Sequence, residues 1–258
     1  MSETLVQAEA LQAGVTLLTL NRPDKRNALS GQLMRDLIEA VRKVEADENQ
    51  RVLILRGAGK VFCAGLDLAE AKAATDPRES AELVGEMLRT VYETPLITVA
   101  AVHGAAIAGG AGLMSACDFV IGEEGSKIGY PEVHRGLVAA LVLGLLCTQV
   151  PRRVARELLL LGEIIDAEHA AQIGLITQTC PVDESQSLAK QVARKILLGG
   201  PKAVRLSKQA LNDFSGQSFR DSLASALDGH LAARDSSESQ EGFAAFLEKR
   251  PPSWQPTD

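Results

Sequence analysis

Aromatic residues make up only 3% of the 258-residue chain, with a single Trp, so any core must be aliphatic. Basic residues are not in excess: 27 Lys and Arg stand against 33 Asp and Glu, a formal net charge of −6. The electrostatic footprint of a nucleic-acid binder, including an RNA-binding side role, is therefore missing. No apolar run approaches the roughly 20 residues that cross a bilayer, and the opening MSETLVQAEALQAG carries acids where an export signal would carry bases. The expectation is a cytoplasmic protein with neither membrane nor nucleic acid as partner. Cys63, Cys117, Cys147 and Cys180 are widely spaced, with no CxxC pair, and are expected as buried or half-buried free thiols rather than a disulfide framework or a metal site. None of the four histidines belongs to an HExxH pair or sits beside a GxSxG elbow, which removes metalloprotease and serine-hydrolase readings.

What is present is an ordinary globular balance, 46% hydrophobic and 23% charged, enough to bury a sizeable core. The first two thirds alternate strand and helix patterns. Val15 to Leu20 reads as a strand entering the turn Asn21-Arg22-Pro23-Asp24. Ser30 can cap a helix whose apolar positions Leu33, Leu37, Val41 and Val44 recur every three or four residues. Val52-Leu53-Ile54-Leu55 is apolar without alternation, as a parallel strand covered on both faces should be. A helix around Ala81 to Tyr92, a strand Leu96 to Val102, a short helix near Gly110 to Ala116 and a strand Phe119 to Ile121 continue the grammar. Beyond about residue 140 the stretches 140–149, 151–161, 166–173, 184–198, 201–213, 217–233 and 237–249 read as helices. In the stretch from Pro201, Ala203, Leu206, Ala210 and Leu211 form one apolar stripe, expected to pack on the core or on a neighbouring subunit. The fold class is α/β, with right-handed crossovers and a helical C-terminal layer.

Two segments hold more glycine than regular structure wants. Phe62-Cys63-Ala64-Gly65-Leu66-Asp67-Leu68 follows one strand, and His103-Gly104 through Gly109-Gly110-Ala111-Gly112-Leu113 follows another. Glycine before a helix start lets backbone N–H groups point unobstructed at a partial negative charge, and two such turns facing one point would make an oxyanion hole. Taken singly, each could be no more than a tight connection. Nucleotide motifs do not fit: Gly104 to Gly109 has P-loop spacing but Gly110-Ala111 follows instead of Lys-Ser or Lys-Thr, and Gly110-Ala111-Gly112 lacks the third glycine of a dinucleotide fingerprint.

Together the two segments resemble the crotonase (enoyl-CoA hydratase/isomerase) superfamily over nearly the whole chain. Asn21-Arg22-Pro23 through Asn27-Ala28-Leu29 resembles its NRP…NAL signature, Phe62 to Leu68 its F-x-A-G-x-D loop, and Ala101-Val102-His103-Gly104 through Gly109-Gly110 its second loop. Cys117-Asp118, Tyr130-Pro131-Glu132 and Glu241 to Arg250 complete the order. The resemblance implies a spiral of ββα units over 1–198, carrying the CoA and oxyanion loops, and a trimerisation region over 199–258. It implies an acyl-CoA substrate with no further cofactor and no metal, and assembly as a homotrimer or a dimer of trimers. By motif position Leu66 and Gly109 are the oxyanion donors. The CoA ester would lie against Lys25, Arg26, Ala28, Ala64, Gly65, Asp67, Leu68 and Gly110, with Phe246 and Lys249 reaching it from the last helix. On their residues alone, Lys25 and Arg26 could equally be solvated turn charges.

One departure bears on the reaction. Hydratases of the family carry two glutamates; Glu132 stands at the second, but counting back from Cys117-Asp118 the first falls on Gly112, and 101–117 contains no acid. A single carboxylate suits an isomerisation that removes a proton from C2 of a 3-enoyl-CoA and returns it at C4. Hydration with one glutamate, decarboxylation, thioester hydrolysis and a catalytically weak CoA-binding protein are the alternatives. Without the resemblance, Glu132 would read as a capping acid or as the partner of Arg135. Tyr130 and His134 could hydrogen-bond it, and Glu123 and Glu124 are expected to be solvated. An acid placed at Gly112 is expected to create or raise hydration if its side chain fits.

Overall fold

The computed structural model describes residues 4–73, 75–214, 227, 231, 234–235 and 237–250. Strand β1 (Val6–Gln12) runs antiparallel to β2 (Val15–Leu20). β1 has no sequence signature because it is a solvated edge: Val6 is buried and most of the rest is exposed. Helix α1 (Gly31–Glu45) starts where expected, the Ser30 hydroxyl accepting from the Leu33 N–H at 3.2 Å, a cap that contributes about 1 kcal/mol. Leu33, Leu37, Val41 and Val44 are its buried stripe.

The chain continues through β3 (Val52–Gly57), α2 (Leu68–Ala73), α3 (Pro77–Glu93), β4 (Ile97–Val102), β5 (Ala105–Ile107), α4 (Gly109–Ser115), β6 (Phe119–Glu123) and β7 (Lys127–Gly129). After β7 come a 3₁₀ turn (Pro131–Arg135), α5 (Leu143–Gln149) and α6 (Arg152–Arg156), which runs on as a π turn over Glu157–Leu161. Then follow β8 (Ile164–Asp166), α7 (Ala167–Gln172), β9 (Gln178–Cys180), α8 (Ser185–Leu197), α9 (Pro201–Phe214) and α10 (Ser237–Leu247).

The main sheet has the order β1-β2-β3-β4-β6-β9, parallel from β2 onward. Because a strand's side chains alternate, Leu53 and Leu55 enter one core with Leu33, Leu37, Met87 and Leu88, while Val52 and Ile54 enter another with Ala189 and Ala193 of α8. Burial on both faces is why β3 is apolar throughout. A second sheet, β5-β7-β8, stands beside the first; its three-residue strands are too short for periodicity to reveal. The architecture is the spiral of ββα units implied by the resemblance, with helices in the C-terminal region.

Four expectations need correction or placement. The helix expected over 217–233 lies almost wholly outside the described residues. Cys147 is exposed, because α5 buries Leu145 and Leu146 and turns its next residues outward. Glu123 is buried, not solvated, its carboxylate accepting from the Ser185 hydroxyl at 2.6 Å, whereas Glu124 is exposed. On α9, Leu206 and Leu211 are 61% and 74% exposed. That helix is instead tied to the core by buried Lys208, whose Nζ reaches Asp118 at 2.7 Å and the Leu96 carbonyl at 2.8 Å. Among the described residues no helix is long and apolar enough to cross a membrane.

Candidate active site

The two glycine-bearing loops are stitched to one another. Cys63 N–H donates to the Ala105 carbonyl at 3.1 Å and Ile107 N–H to the Cys63 carbonyl at 3.0 Å. From the other side, Leu29 N–H donates to Gly65 O at 2.8 Å and Asp67 N–H to Leu29 O at 3.0 Å. The NRP…NAL stretch supplies the clamp. Asn27, fully buried in the left-handed region at φ 53°, uses its Nδ2 on the carbonyls of Ala58, Val61 and Phe62 and accepts from Arg22 N–H through Oδ1. Arg22 bridges the Ala28 carbonyl and the Asp67 carboxylate, the latter at 2.7 Å. Burial acts to raise the Asp67 pKa, but the Arg22 hydrogen bond and charge with the amides of Glu70 and Ala69 outweigh it and hold it low.

This stitching leaves two amides over. Among the described residues neither Leu66 nor Gly109 donates its N–H to a protein acceptor. They are neighbours: a Cβ on Gly109 would stand 3.7 Å from the Leu66 nitrogen, and one on Gly65 would stand 3.4 Å from the Gly109 nitrogen. Ala108, between β5 and α4, takes φ 51° and ψ −122°, a strained conformation for a residue with a Cβ. Its own N–H is fixed on Gly129 O at 2.8 Å. Leu66, Ala108 and Gly109 all line a cavity of about 330 Å³. The nearby Cys63 thiol is no nucleophile, since burial pushes its pKa up to about 12 and its Sγ is hydrogen-bonded to the Asn27 carbonyl.

Glu132 enters the same cavity from the 3₁₀ turn. Its Oε2 is buried with no hydrogen-bond partner among the described residues. Burial pushes the carboxyl up to about 7, against the downward pull of its own backbone amide and of the Arg135 charge. Arg135 exerts that charge without forming an ion pair among the described residues. Its guanidinium lies 4.6 Å from the Phe246 ring centre on α10, with one nitrogen at 3.4 Å from the Pro131 carbonyl. Tyr130 does not reach Glu132 either: its hydroxyl is fully buried against Ser115 Oγ at 2.7 Å. His134 is exposed and bonds the Leu161 carbonyl.

The space beside Gly112 is filled. A Cβ there would stand 2.5 Å from Val142 Cγ1, closer than packed atoms come. Val142 is buried and lines the cavity. The condition that a side chain at 112 should fit is therefore not met while Val142 holds its place.

Of the residues singled out from sequence, Lys25, Arg26, Ala28, Ala64, Leu66, Asp67, Leu68, Gly109, Glu132 and Phe246 line the one cavity. Gly65 and Gly110 lie behind it, where a Cβ would meet Ile107 O at 2.7 Å and Cys63 O at 2.3 Å. They are glycines so that the loops can touch. Lys249 is exposed and outside the lining. Sequence reasoning missed Asn27 as the clamp, Val142 as the filler and Arg234 as a wall residue. The asparagine inside a turn motif was a usable signal; the other two depend on long-range packing.

A model of the enoyl-CoA hydratase/isomerase family matches residues 10–257. A protein of Thermus thermophilus, named provisionally as an enoyl-CoA hydratase, is 38% identical over 254 residues, covering 96% of this chain and 99% of its own. The crotonyl-CoA hydratase of Syntrophomonas wolfei is 34% identical over 244 residues, 92% of each chain. Among solved structures, an enoyl-CoA hydratase/isomerase from Xanthobacter autotrophicus superposes with a TM-score of 0.88 at 32% identity, covering 96% of this chain and 94% of that one.

Proposed function

The chain belongs to the enoyl-CoA hydratase/isomerase family of acyl-CoA enzymes, and from that premise we propose that it moves the double bond of an enoyl-CoA thioester with a single acid–base. The thioester oxygen accepts from the N–H groups of Leu66 and Gly109. Glu132 removes a proton from C2 of a 3-enoyl-CoA, and charge passes to the oxygen as a dienolate. Fixed donors aimed where that charge develops contribute about 2.7 to 4 kcal/mol each in known oxyanion holes. The protonated Glu132 then gives its proton to C4, leaving the 2-enoyl-CoA and the carboxylate restored. Lys25 and Arg26, exposed at the cavity rim, suit CoA phosphates that stay in water. Assembly as a trimer or a pair of trimers belongs to the same reading, and the exposed Leu206 and Leu211 support it.

The observation that carries the reading is the buried Glu132 oxygen with no partner among the described residues; the Val142 methyl that leaves no room for a side chain at Gly112, where the family resemblance puts the second carboxylate, supports it. Hydration is the second reading, favoured by the relatives' names. Purified protein given a 3-enoyl-CoA should build the conjugated 2-enoyl absorbance, and given a 2-enoyl-CoA should form little 3-hydroxyacyl-CoA. Rapid hydration without migration would overturn the proposal in favour of the second reading.

The packing at position 112 yields a further expected result. Gly112→Glu alone should destabilise the fold by about 1 to 3 kcal/mol, the usual range for overpacking, and add no hydration. Gly112→Glu combined with Val142→Ala should recover much of that loss and raise 3-hydroxyacyl-CoA formation at least tenfold over the single variant. Melting curves and product chromatography on both variants check this, and a single variant that is stable and hydrates would show that Val142 is not the obstacle.

A further inference from the structure

Arg234 lines the cavity and is only 4% exposed. Its guanidinium donates to the Ala71 carbonyl at the end of α2 and to the Pro77 carbonyl at the start of α3. A guanidinium has five N–H donors in a planar fork, and these two bonds leave donor capacity over among the described residues. Among the described residues no carboxylate stands within ion-pair distance of it. The acid whose charge acts on it is its neighbour Asp235, which is exposed. Arg135 and not Arg234 acts on Glu132, so Arg234 stands apart from the acid–base. The cavity that Arg234 lines also has apolar residues in its wall, among them Leu68, Ala81, Val84, Leu137 and Leu141.

A buried cation without an anion is unfavourable, and a guanidinium fork matches a carboxylate in two parallel hydrogen bonds. Of the other basic groups on the cavity, Lys25 and Arg26 are exposed at the rim, and Arg135 lies over the Phe246 ring with its charge acting on Glu132. We infer that Arg234 receives a carboxylate at the far end of the acyl chain, so that the enzyme's preferred thioesters are CoA monoesters of dicarboxylic acids rather than of simple fatty acids. The anion could also come from a CoA phosphate. A phosphate keeps its hydration at the exposed rim, however, and a group delivered down an apolar acyl channel reaches a buried site. The inference rests on the acyl group occupying this cavity, as the proposed function requires, and not on which reaction follows.

Binding of saturated esters therefore tests it without turnover. Hexanoyl-CoA and octanoyl-CoA are compared by titration calorimetry with their counterparts bearing a terminal carboxylate, alongside free CoA. The wild-type protein should bind the carboxylate-ended ester at least tenfold more tightly at one of the two lengths, and Arg234→Gln should bring that ratio to about one. Arg234→Lys, which keeps the charge but not the fork, should give an intermediate ratio. A wild-type ratio near one overturns the inference whatever the variants do, so a variant that fails to fold leaves it decided. A ratio preserved in Arg234→Gln overturns it as well. An equal loss for free CoA and both esters assigns Arg234 to a phosphate instead. If the preference holds while the 3-enoyl-CoA assay fails, the isomerase reading falls and the carboxylate site stands.

Discussion

Glu132→Gln should lower kcat by two to four orders of magnitude, the range that a positioned acid–base supplies, while binding of saturated CoA esters changes little. Burial pushes the carboxyl from its ordinary 4.5 up to about 7, which places it where a base works well at neutral pH. In the free wild-type enzyme kcat/KM should therefore fall tenfold for each pH unit below about 7, and the variant's residual rate should lack that limb. Stability should move the other way. A carboxyl with a raised native pKa holds its proton more tightly folded than unfolded, so the fold is favoured while the group is protonated. It loses that advantage as pH rises from 4.5 to 7, by up to about 3 kcal/mol at 1.36 kcal/mol per unit. Glutamine is neutral throughout, so the variant should melt above the wild type at pH 8 and level with it at pH 4. Full activity in Glu132→Gln, or a wild-type profile flat from pH 5 to 8, would remove this carboxylate from the reaction.

Gly65→Ala should be nearly as damaging without touching any polar side chain. Gly65 has φ +91°, and an added Cβ would stand 2.7 Å from the Ile107 carbonyl and 3.1 Å from Ala108 Cβ. The backbone alone costs about 1 to 3 kcal/mol in that region, and the clash must be relieved by parting the two loops. Misplacing reacting groups by an ångström costs about a hundredfold in rate, so a hundredfold to thousandfold loss in kcat/KM is expected, with a lower melting temperature. Gly125→Ala is the control. Its φ of +74° carries a similar backbone penalty, but nothing lies within 4 Å of the added Cβ. It should lose some stability and keep its rate. Equal kinetic loss in both variants would show that loop approach is not what Gly65 provides.

The parts of this site that were legible in the sequence are those written in backbone conformation. Glycine before a helix start marks a turn that can expose amides, and the family resemblance of the two segments together singled out the loops around Leu66 and Gly109. The apolar run of β3 and the Ser30 cap were legible for the same reason: each is a local pattern with a local cause. Glu132 was visible as a motif, but its surroundings were not. Arg135, one 3₁₀ turn further on, is near enough to pair with it, yet the ring of Phe246, distant in sequence, takes the guanidinium. Val142 beside Gly112 is likewise a contact between separate elements that no periodicity encodes. Glu123 and Glu124 misled because β6 ends between them: Glu123, its last residue, is covered and meets Ser185, while Glu124 begins the turn and meets water. β1 and the short second sheet escaped because a solvated edge and three-residue strands carry too little apolar pattern to register.

The turn bearing Glu132 is braced by α10, where the Gly242 backbone is packed so closely on the Arg135 carbonyl that a Cβ would fall 2.0 Å from it, and Phe246 covers the guanidinium beside it. The two amides are set by contacts made within roughly the first half of the polypeptide, while the carboxylate's seat awaits a helix synthesised near its end. Displacing α10 should therefore loosen the seat of Glu132 while leaving the stitching between the loops of Leu66 and Gly109 in place.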